Sequence, residues 1–128
     1  MIPIQVTYIL SFLFYIASVL IHILVLYKRI DFRLVNGGRS KDFVEQQKLS
    51  RMSIIIISTL SFYILLTLIF PSLRSTMVYL IITSIITSFW LLGTVMQLLG
   101  TKFERKVVFW INLVGLVSHI FLVLQYFM

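Results

Sequence analysis

The sequence has no cysteine and little charge, and each shortage excludes a class of protein. Without cysteine there can be no disulfide, no thiolate zinc site, no iron–sulfur cluster and no thiol nucleophile. Only 12% of the residues are charged, whereas soluble domains carry roughly a quarter. Because so few charged side chains cannot cover a water-exposed surface, the composition excludes an ordinary soluble domain.

Apolar residues are what the chain has instead. They make up 60% of its 128 residues, and the mean hydropathy is +1.07. About 20 consecutive apolar residues cross the hydrocarbon core of a bilayer as a helix. Four stretches meet this requirement, namely 4–27, 54–70, 76–99 and 107–127. The first lacks the basic start and the cleavage site of a signal peptide, so it is predicted to be a permanent helix. The sequence therefore predicts an all-α integral membrane protein, with one domain over 1–128 that forms a bundle of four transmembrane helices.

The basic residues predict the orientation of these helices. All 11 Lys and Arg residues except Arg74 fall in the first and third loops. They are Lys28, Arg29, Arg33, Arg39, Lys41, Lys48 and Arg51 in the first loop, and Lys102, Arg105 and Lys106 in the third. Since basic loops stay in the cytoplasm, we expect both loops inside the cell membrane and Met1 and Met128 outside. Basic residues that flank apolar spans favour contact with anionic lipid headgroups rather than with nucleic acid.

The first loop, 28–53, is the only long segment predicted to face water. Asn36-Gly37-Gly38 is typical of a turn, and Ser40 is a plausible N-cap for the residues that follow. We expect a short amphipathic helix over about 41–52 that merges into the second span. Its role is left open between a docking surface, for a partner or for headgroups, and a simple connector.

No Asp, Glu, Lys or Arg lies within the predicted spans. Proton-coupled transporters usually hold a charged group at mid-depth, and small four-helix multidrug exporters carry a glutamate in their first helix. The two histidines differ in depth by about eight residues, which is too far for one haem to bind both. Zinc needs three or four ligands. The sequence therefore predicts no catalytic residues, no cofactor and no metal.

The uncharged polar residues of the spans fall into two layers. The layer near the cytoplasmic side contains His22, Ser58, Thr59, Thr94 and Asn112; the mid-depth layer contains Tyr15, Thr67, Thr87, Ser88, Ser118 and His119. Helical spacing also places Ser11, Tyr15, Ser18 and His22 on one face of the first span. Two interpretations stay open: these groups hydrogen-bond between helices, or they line a wet path or a ligand site.

Together these features predict a non-enzymatic small membrane subunit that acts through helix packing. It would form a homo-oligomer or join a larger membrane protein, as accessory, sensor, immunity or defence proteins do. The alternative is an oligomeric channel or small-solute transporter lined by the Ser, Thr, His and Asn layers, since hydroxyls and amides can replace the hydration of a permeating species.

Overall fold

The computed structural model describes residues 2–128, so the prediction for Met1 lies outside the described residues. It contains four long helices: α1 Ile4–Leu26, α2 Phe43–Ile69, α3 Met77–Leu98 and α4 Phe109–Leu124. A π-helical turn, Glu104–Val108, leads directly into α4. Residues 2–128 contain no strand, and all four helices are long and apolar enough to cross a membrane when the fourth is counted with its flanking turns, from Glu104 to Phe127. This confirms the prediction of an all-helical protein with four spans.

Helix α2 joins the loop and the second span into one helix of 27 residues. Its N-cap is Asp42, and the prediction of Ser40 is wrong. The Asp42 carboxylate accepts a hydrogen bond from the backbone N–H of Glu45 at 2.8 Å. Ser40 is buried instead and donates to Oε1 of Gln46 at 2.6 Å. Asp42 caps the helix because its carboxylate pairs with a free N–H of the first turn and interacts favourably with the helix dipole.

The helices pack in the order α2–α1–α4–α3, and α2 and α3 make few contacts with each other. The close approach of α1 to α4 depends on Gly115, because a Cβ atom there would overlap the ring of Phe14. The central cluster of buried apolar and aromatic side chains comprises Tyr8, Phe14, Tyr15, Ile57, Ile64, Ile86, Trp90 and Leu122. The bundle is thus closed on three sides and loosely joined on the fourth.

The first and third loops meet at one end of the bundle. The backbone N–H of Gly37 donates to Oε1 of Glu104 at 2.8 Å, and Oγ1 of Thr101 donates to the carbonyl of Leu34 at 2.5 Å. We call this end the basic end, because all ten basic residues of these loops are exposed there. The opposite end, where the turns Pro71–Ser75 and Gln125–Phe127 come together, is the far end.

Candidate functional site

In the far half of the bundle, the buried polar groups form hydrogen bonds with one another or with backbone carbonyls. The Tyr8 hydroxyl donates to Oγ1 of Thr67 at 2.8 Å, while Thr67 donates to the carbonyl of Ile64 at 2.7 Å. The Tyr79 hydroxyl donates to the carbonyl of Leu122 on α4. Since buried hydroxyls are costly when unpaired, these bonds fasten the helices together without leaving a group free for a ligand.

A hydrogen-bonded cluster of side chains from three helices lies at mid-depth. It consists of Tyr15, Trp90 and His119. Nδ1 of His119 lies 2.6 Å from the carbonyl of Gly115, which can only accept, so Nδ1 carries the proton. Nε2 is then the acceptor for the Tyr15 hydroxyl at 2.7 Å. The indole N–H of Trp90 donates to the same hydroxyl oxygen at 3.3 Å. Both nitrogens of His119 are thereby occupied. Ser118, predicted in the same layer, accepts a hydrogen bond from Ser11 on α1 at 3.0 Å.

Three residues predicted in the polar layers lie on the outer surface instead. Ser58, Thr59 and Ser88 are exposed, so these three residues do not belong to an inward-facing layer. Thr59 donates to the carbonyl of Ile55 at 2.8 Å, and Ser88 donates to that of Ser84 at 2.9 Å. A hydroxyl that donates to a carbonyl of its own helix can face outward without losing its hydrogen bond. The depth of such a residue along the helix therefore does not show which way its side chain faces. Thr87, by contrast, is half-buried and bonds the carbonyl of Thr83 at 2.7 Å.

A cavity of about 440 Å³ lies in the basic half, between all four helices and the first loop. Six polar side chains line it: Ser18, His22, Asn36, Ser53, Gln97 and Asn112. No Asp, Glu, Lys or Arg is among the residues that line it. Ile56, Phe89 and Leu92 also border it, and all three are exposed on the outer surface of α2 and α3. The cavity therefore opens sideways, through the gap where α2 and α3 make few contacts.

Two polar groups in the cavity wall differ from the paired groups of the far half. Oε1 of Gln97 is buried and has no hydrogen-bond partner among residues 2–128. Nδ1 of His22 lies 3.2 Å from Oγ of Ser50, which already accepts a hydrogen bond from Gln46 at 3.0 Å. This contact occupies Nδ1 of His22, while its Nε2 has no hydrogen-bond partner among residues 2–128.

The floor of the cavity is the first loop, held by Glu104. Asn36, which lines the cavity, and the two glycines after it all have positive φ (53°, 62° and 71°). This turn aims the N–H of Gly37 at the Glu104 carboxylate, which is only 4% exposed. Thr101 and Glu104 also bond reciprocally, each backbone N–H donating to the other's side chain at 3.1 and 3.2 Å. Sequence reasoning missed Glu104, although Thr-x-x-Glu before an apolar run is the signature of such a capping box.

The basic residues predicted to contact headgroups surround this floor and point outward. Lys28 lies over the ring of Phe43, with its Nζ 4.7 Å from the centroid, and Arg105 donates to the carbonyl of Gly100 at 3.1 Å. Arg33 forms the one ion pair found in residues 2–128, 2.7 Å from the Asp31 carboxylate. Hydrogen bonds from Arg33 lower the pKa of Asp31 to about 2, and the same contact raises the pKa of Arg33.

The chain matches no family model, no curated protein and no solved structure in comparisons with known proteins. The described residues contain no group of three His, Cys, Asp or Glu side chains placed to hold a metal ion. What the cavity offers is hydrogen bonding by amides, hydroxyls and one imidazole beside an apolar opening. This arrangement suits recognition of a small molecule that is partly polar and partly apolar.

Proposed function

We propose that this chain is a non-enzymatic multi-pass protein of the cell membrane that binds a small amphiphilic molecule in the cavity of its basic half. The observation that supports the proposal is a polar cavity with a sideways opening between two apolar helices. A volume of about 440 Å³ lies within the range of small-molecule sites, roughly 300–1,000 Å³. The polar head of the ligand would lie inside, and its apolar chain would leave between α2 and α3.

The orientation is part of the proposal. Ten of the 11 basic residues lie at the basic end, so the positive-inside rule puts this end in the cytoplasm and Met128 outside. The opening then faces the inner leaflet, from which a membrane-dissolved ligand would enter, and the exposed basic residues would contact anionic headgroups. A reporter enzyme fused after Met128 tests this: activity outside the cell is expected, and cytoplasmic activity would reverse the orientation.

Native mass spectrometry in mild detergent tests the binding itself. We expect a bound membrane lipid or other amphiphile that survives delipidation of the wild-type chain. Gly93 borders the cavity, and a Cβ atom there would meet only ordinary contacts, 3.9 Å from Asn112 and Trp90. Gly93→Leu should therefore project its longer side chain into the cavity and remove the bound species. The control Ile85→Phe adds bulk at a residue that is 64% exposed and does not line the cavity. Equal retention by both variants would count against the site.

A second candidate is a membrane subunit that packs on another copy or on a larger protein. The feature that favours it is a groove on the outer surface between α1 and α2, which contains Ser58 and Ser61 among apolar residues. Because the chain has no cysteine, Ser58→Cys would carry its only thiol. Rapid disulfide-linked dimer formation in native membranes would support this role, with Ile85→Cys as the control. If neither variant forms dimers and no partner is crosslinked, the role falls.

The channel or transporter alternative has no comparable supporting observation. Buried side chains such as Tyr8, Ile64 and Tyr79 fill the far half of the bundle, and their polar groups bond one another or backbone carbonyls. A flux assay in liposomes distinguishes the roles, because the binding proposal expects no flux of small ions or solutes above that of empty vesicles.

A further inference from the structure

We infer that Ser18 on α1 and Asn112 on α4 bind the polar head of the ligand, and that this head is uncharged, such as a hydroxyl, a carbonyl or an amide group. The inference rests on the proposed function, because it names the binding residues and the class of amphiphile for the same cavity. It is supported by the missing partners of the two side chains, by their access to the cavity, by their position on neighbouring helices and by their surroundings.

Ser18 and Asn112 are buried without a hydrogen-bond partner. They are 8% and 6% exposed, and neither side chain forms a hydrogen bond within residues 2–128. Ser11, on the same face of α1, shows the usual arrangement, since its hydroxyl lies 2.9 Å from the carbonyl of Thr7 and 3.0 Å from Oγ of Ser118. Buried polar groups are nearly always paired, because losing water without gaining a partner is unfavourable. A bound polar group would supply the missing partner of both residues.

A ligand in the cavity can reach both side chains. In residues 2–128, Oε1 of Gln97 is the one unpaired polar atom of the buried side chains that has no accessible surface. The unpaired atoms of Ser18 and Asn112 therefore keep accessible surface, and both side chains line the cavity. Gly93 on α3 also lines it and leaves room beside the amide, because a Cβ atom there would lie 3.9 Å from Nδ2 of Asn112. The amide is thus open to a bound group.

The register of α1 against α4 places the two residues side by side. The ring of Phe14 packs directly against Gly115, at the close approach of these antiparallel helices. One turn further toward the basic end, Ser18 follows Phe14 on α1 and Asn112 precedes Gly115 on α4. Because residues one turn apart lie on the same helix face, a single head group can contact both Ser18 and Asn112.

The surroundings of this pair favour an uncharged head. Ser18 lies about two turns before the end of α1 at Leu26, which is about 12 Å along the helix. No Asp, Glu, Lys or Arg lines the cavity, and an ordinary histidine such as His22 is mostly neutral at pH 7. A phosphate or ammonium head at this depth would lose its water without gaining an opposite charge, which strongly disfavours it. The exposed Lys and Arg residues would meet such heads outside the cavity.

Tryptophan fluorescence provides the test, because the chain has only Trp90 and Trp110. Trp90 lines the cavity, whereas Trp110 is exposed on the outer surface. In a Trp110→Phe background, brominated octadecanol added to vesicles should quench Trp90 saturably, and unbrominated octadecanol should reverse the quenching. Brominated octadecane, the same chain without a head, should bind about tenfold more weakly. Permanently charged probes, a brominated alkyl sulfate and a brominated alkyl trimethylammonium, should not quench saturably.

Ser18→Ala and Asn112→Leu assign the head to its two partners. Each variant should reduce the preference for octadecanol over octadecane severalfold, and the double variant should abolish it. The ratio of the two affinities is the readout, because a change in the shape of the cavity acts on both probes alike. Ser88→Ala and Gln125→Leu are the matched controls, since neither residue lines the cavity, and both should keep the preference of the unaltered cavity.

The outcomes separate this inference from the proposed function. If the alkane or a charged probe binds as tightly as the alcohol, the cavity binds amphiphiles but the head-group inference is wrong. A preference for the alcohol that survives in the double variant would also overturn it, because other residues would then bind the head. If no probe quenches Trp90 saturably, the proposed function itself fails. Ser18→Ala removes a single oxygen atom, so it keeps the assignment testable if Asn112→Leu misfolds.

Discussion

The far half and the basic half of the bundle both contain buried polar groups but use them differently. In the far half, Thr67 is fully buried and Tyr79 is 2% exposed, and both are hydrogen-bonded across or within helices. In the basic half, α2 and α3 separate around a cavity, and Gln97 keeps a buried acceptor without a partner. The polar groups of the far half are hydrogen-bonded within the protein, whereas the basic half leaves the Gln97 acceptor unpaired.

The comparison shows that the role of a polar residue in a membrane bundle depends on its partner rather than on its type. An interhelical hydrogen bond in a membrane contributes about 0.6 kcal/mol on average. An unpaired buried group costs about 1–3 kcal/mol. A protein that keeps such a group lowers its own stability, which is typical of binding sites.

Gly115→Ala should have the largest effect, because it affects the tightest contact of the packed region. The new Cβ atom would overlap the Phe14 ring, which is 2% exposed and cannot move aside easily. Overpacking of this kind costs about 1–3 kcal/mol, and we expect the upper end of that range. Thermal unfolding in mild detergent should show a large fall in the midpoint. Gly93→Ala is the matched control, since its Cβ atom has room; equal effects of the two variants would refute the packing argument.

Tyr15→Phe should destabilise the bundle less than Gly115→Ala. It removes the hydroxyl that pairs with both His119 and Trp90, so one buried acceptor and one buried donor lose their partner. The expected loss is about 1–3 kcal/mol, to be measured as a shift in the unfolding midpoint. Tyr27→Phe is the control, because Tyr27 is 76% exposed. A Tyr15→Phe chain as stable as this control would mean that the cluster contributes little.

Glu104→Ala should act mainly on the floor of the cavity. It removes the acceptor for the backbone N–H groups of Gly37 and Thr101, and losing a cap costs about 1 kcal/mol. Hydrogen exchange of residues 33–40 should accelerate, while that of the far half stays slow. Glu45→Ala is the control, since its contact with the Lys41 backbone is exposed. Unchanged exchange in the loop would show that Glu104 does not hold the floor.

Gln97→Met should raise stability slightly, in the opposite direction to the changes above. It replaces a buried acceptor without a partner by an apolar group of similar length, for a gain of up to about 1 kcal/mol in the ligand-free chain. Thr67→Val in the far half should do the reverse, because it leaves Tyr8 without its acceptor. Unfolding midpoints that move in the same direction for both variants would contradict the distinction between the two halves.

The smallest effect is expected at the exposed turn of Asp31 when the pH is lowered. The ordinary aspartate pKa of 3.8 is lowered to about 2 by Arg33, so the contact stabilises the folded loop above pH 4. This contribution is lost as the pH falls from about 4 toward 2. Carbon NMR of labelled aspartate should show one carboxyl titrating near the lower value, and Asp31→Asn should remove that signal. Titration near 3.8 would mean that the ion pair is absent.

The sequence predicted the four helices well because hydropathy and length alone decide whether a segment can span a bilayer. It also predicted the inward face of α1, where Ser11, Tyr15 and Ser18 are buried. It failed at Ser58, Thr59 and Ser88, because depth along a helix does not show which way a side chain faces; the hydroxyls of Thr59 and Ser88 bond carbonyls of their own helix. For the layer near the cytoplasmic side, the prediction took Ser58 and Thr59 from the second helix. The polar residues of α2 in that region of the interior are Ser50 and Ser53, which lie nearer the start of the helix.

The helical character of the chain, its four helices able to span a membrane and the position of its basic loops follow from composition and order along the chain. Which polar groups are paired depends on the tertiary structure. The partners of His119 and Glu104 lie 104 and 67 residues away, at Tyr15 and Gly37. The gap between α2 and α3 likewise depends on how four helices pack together. Hydrogen bonds and voids of this kind arise between helices, and no local pattern encodes them.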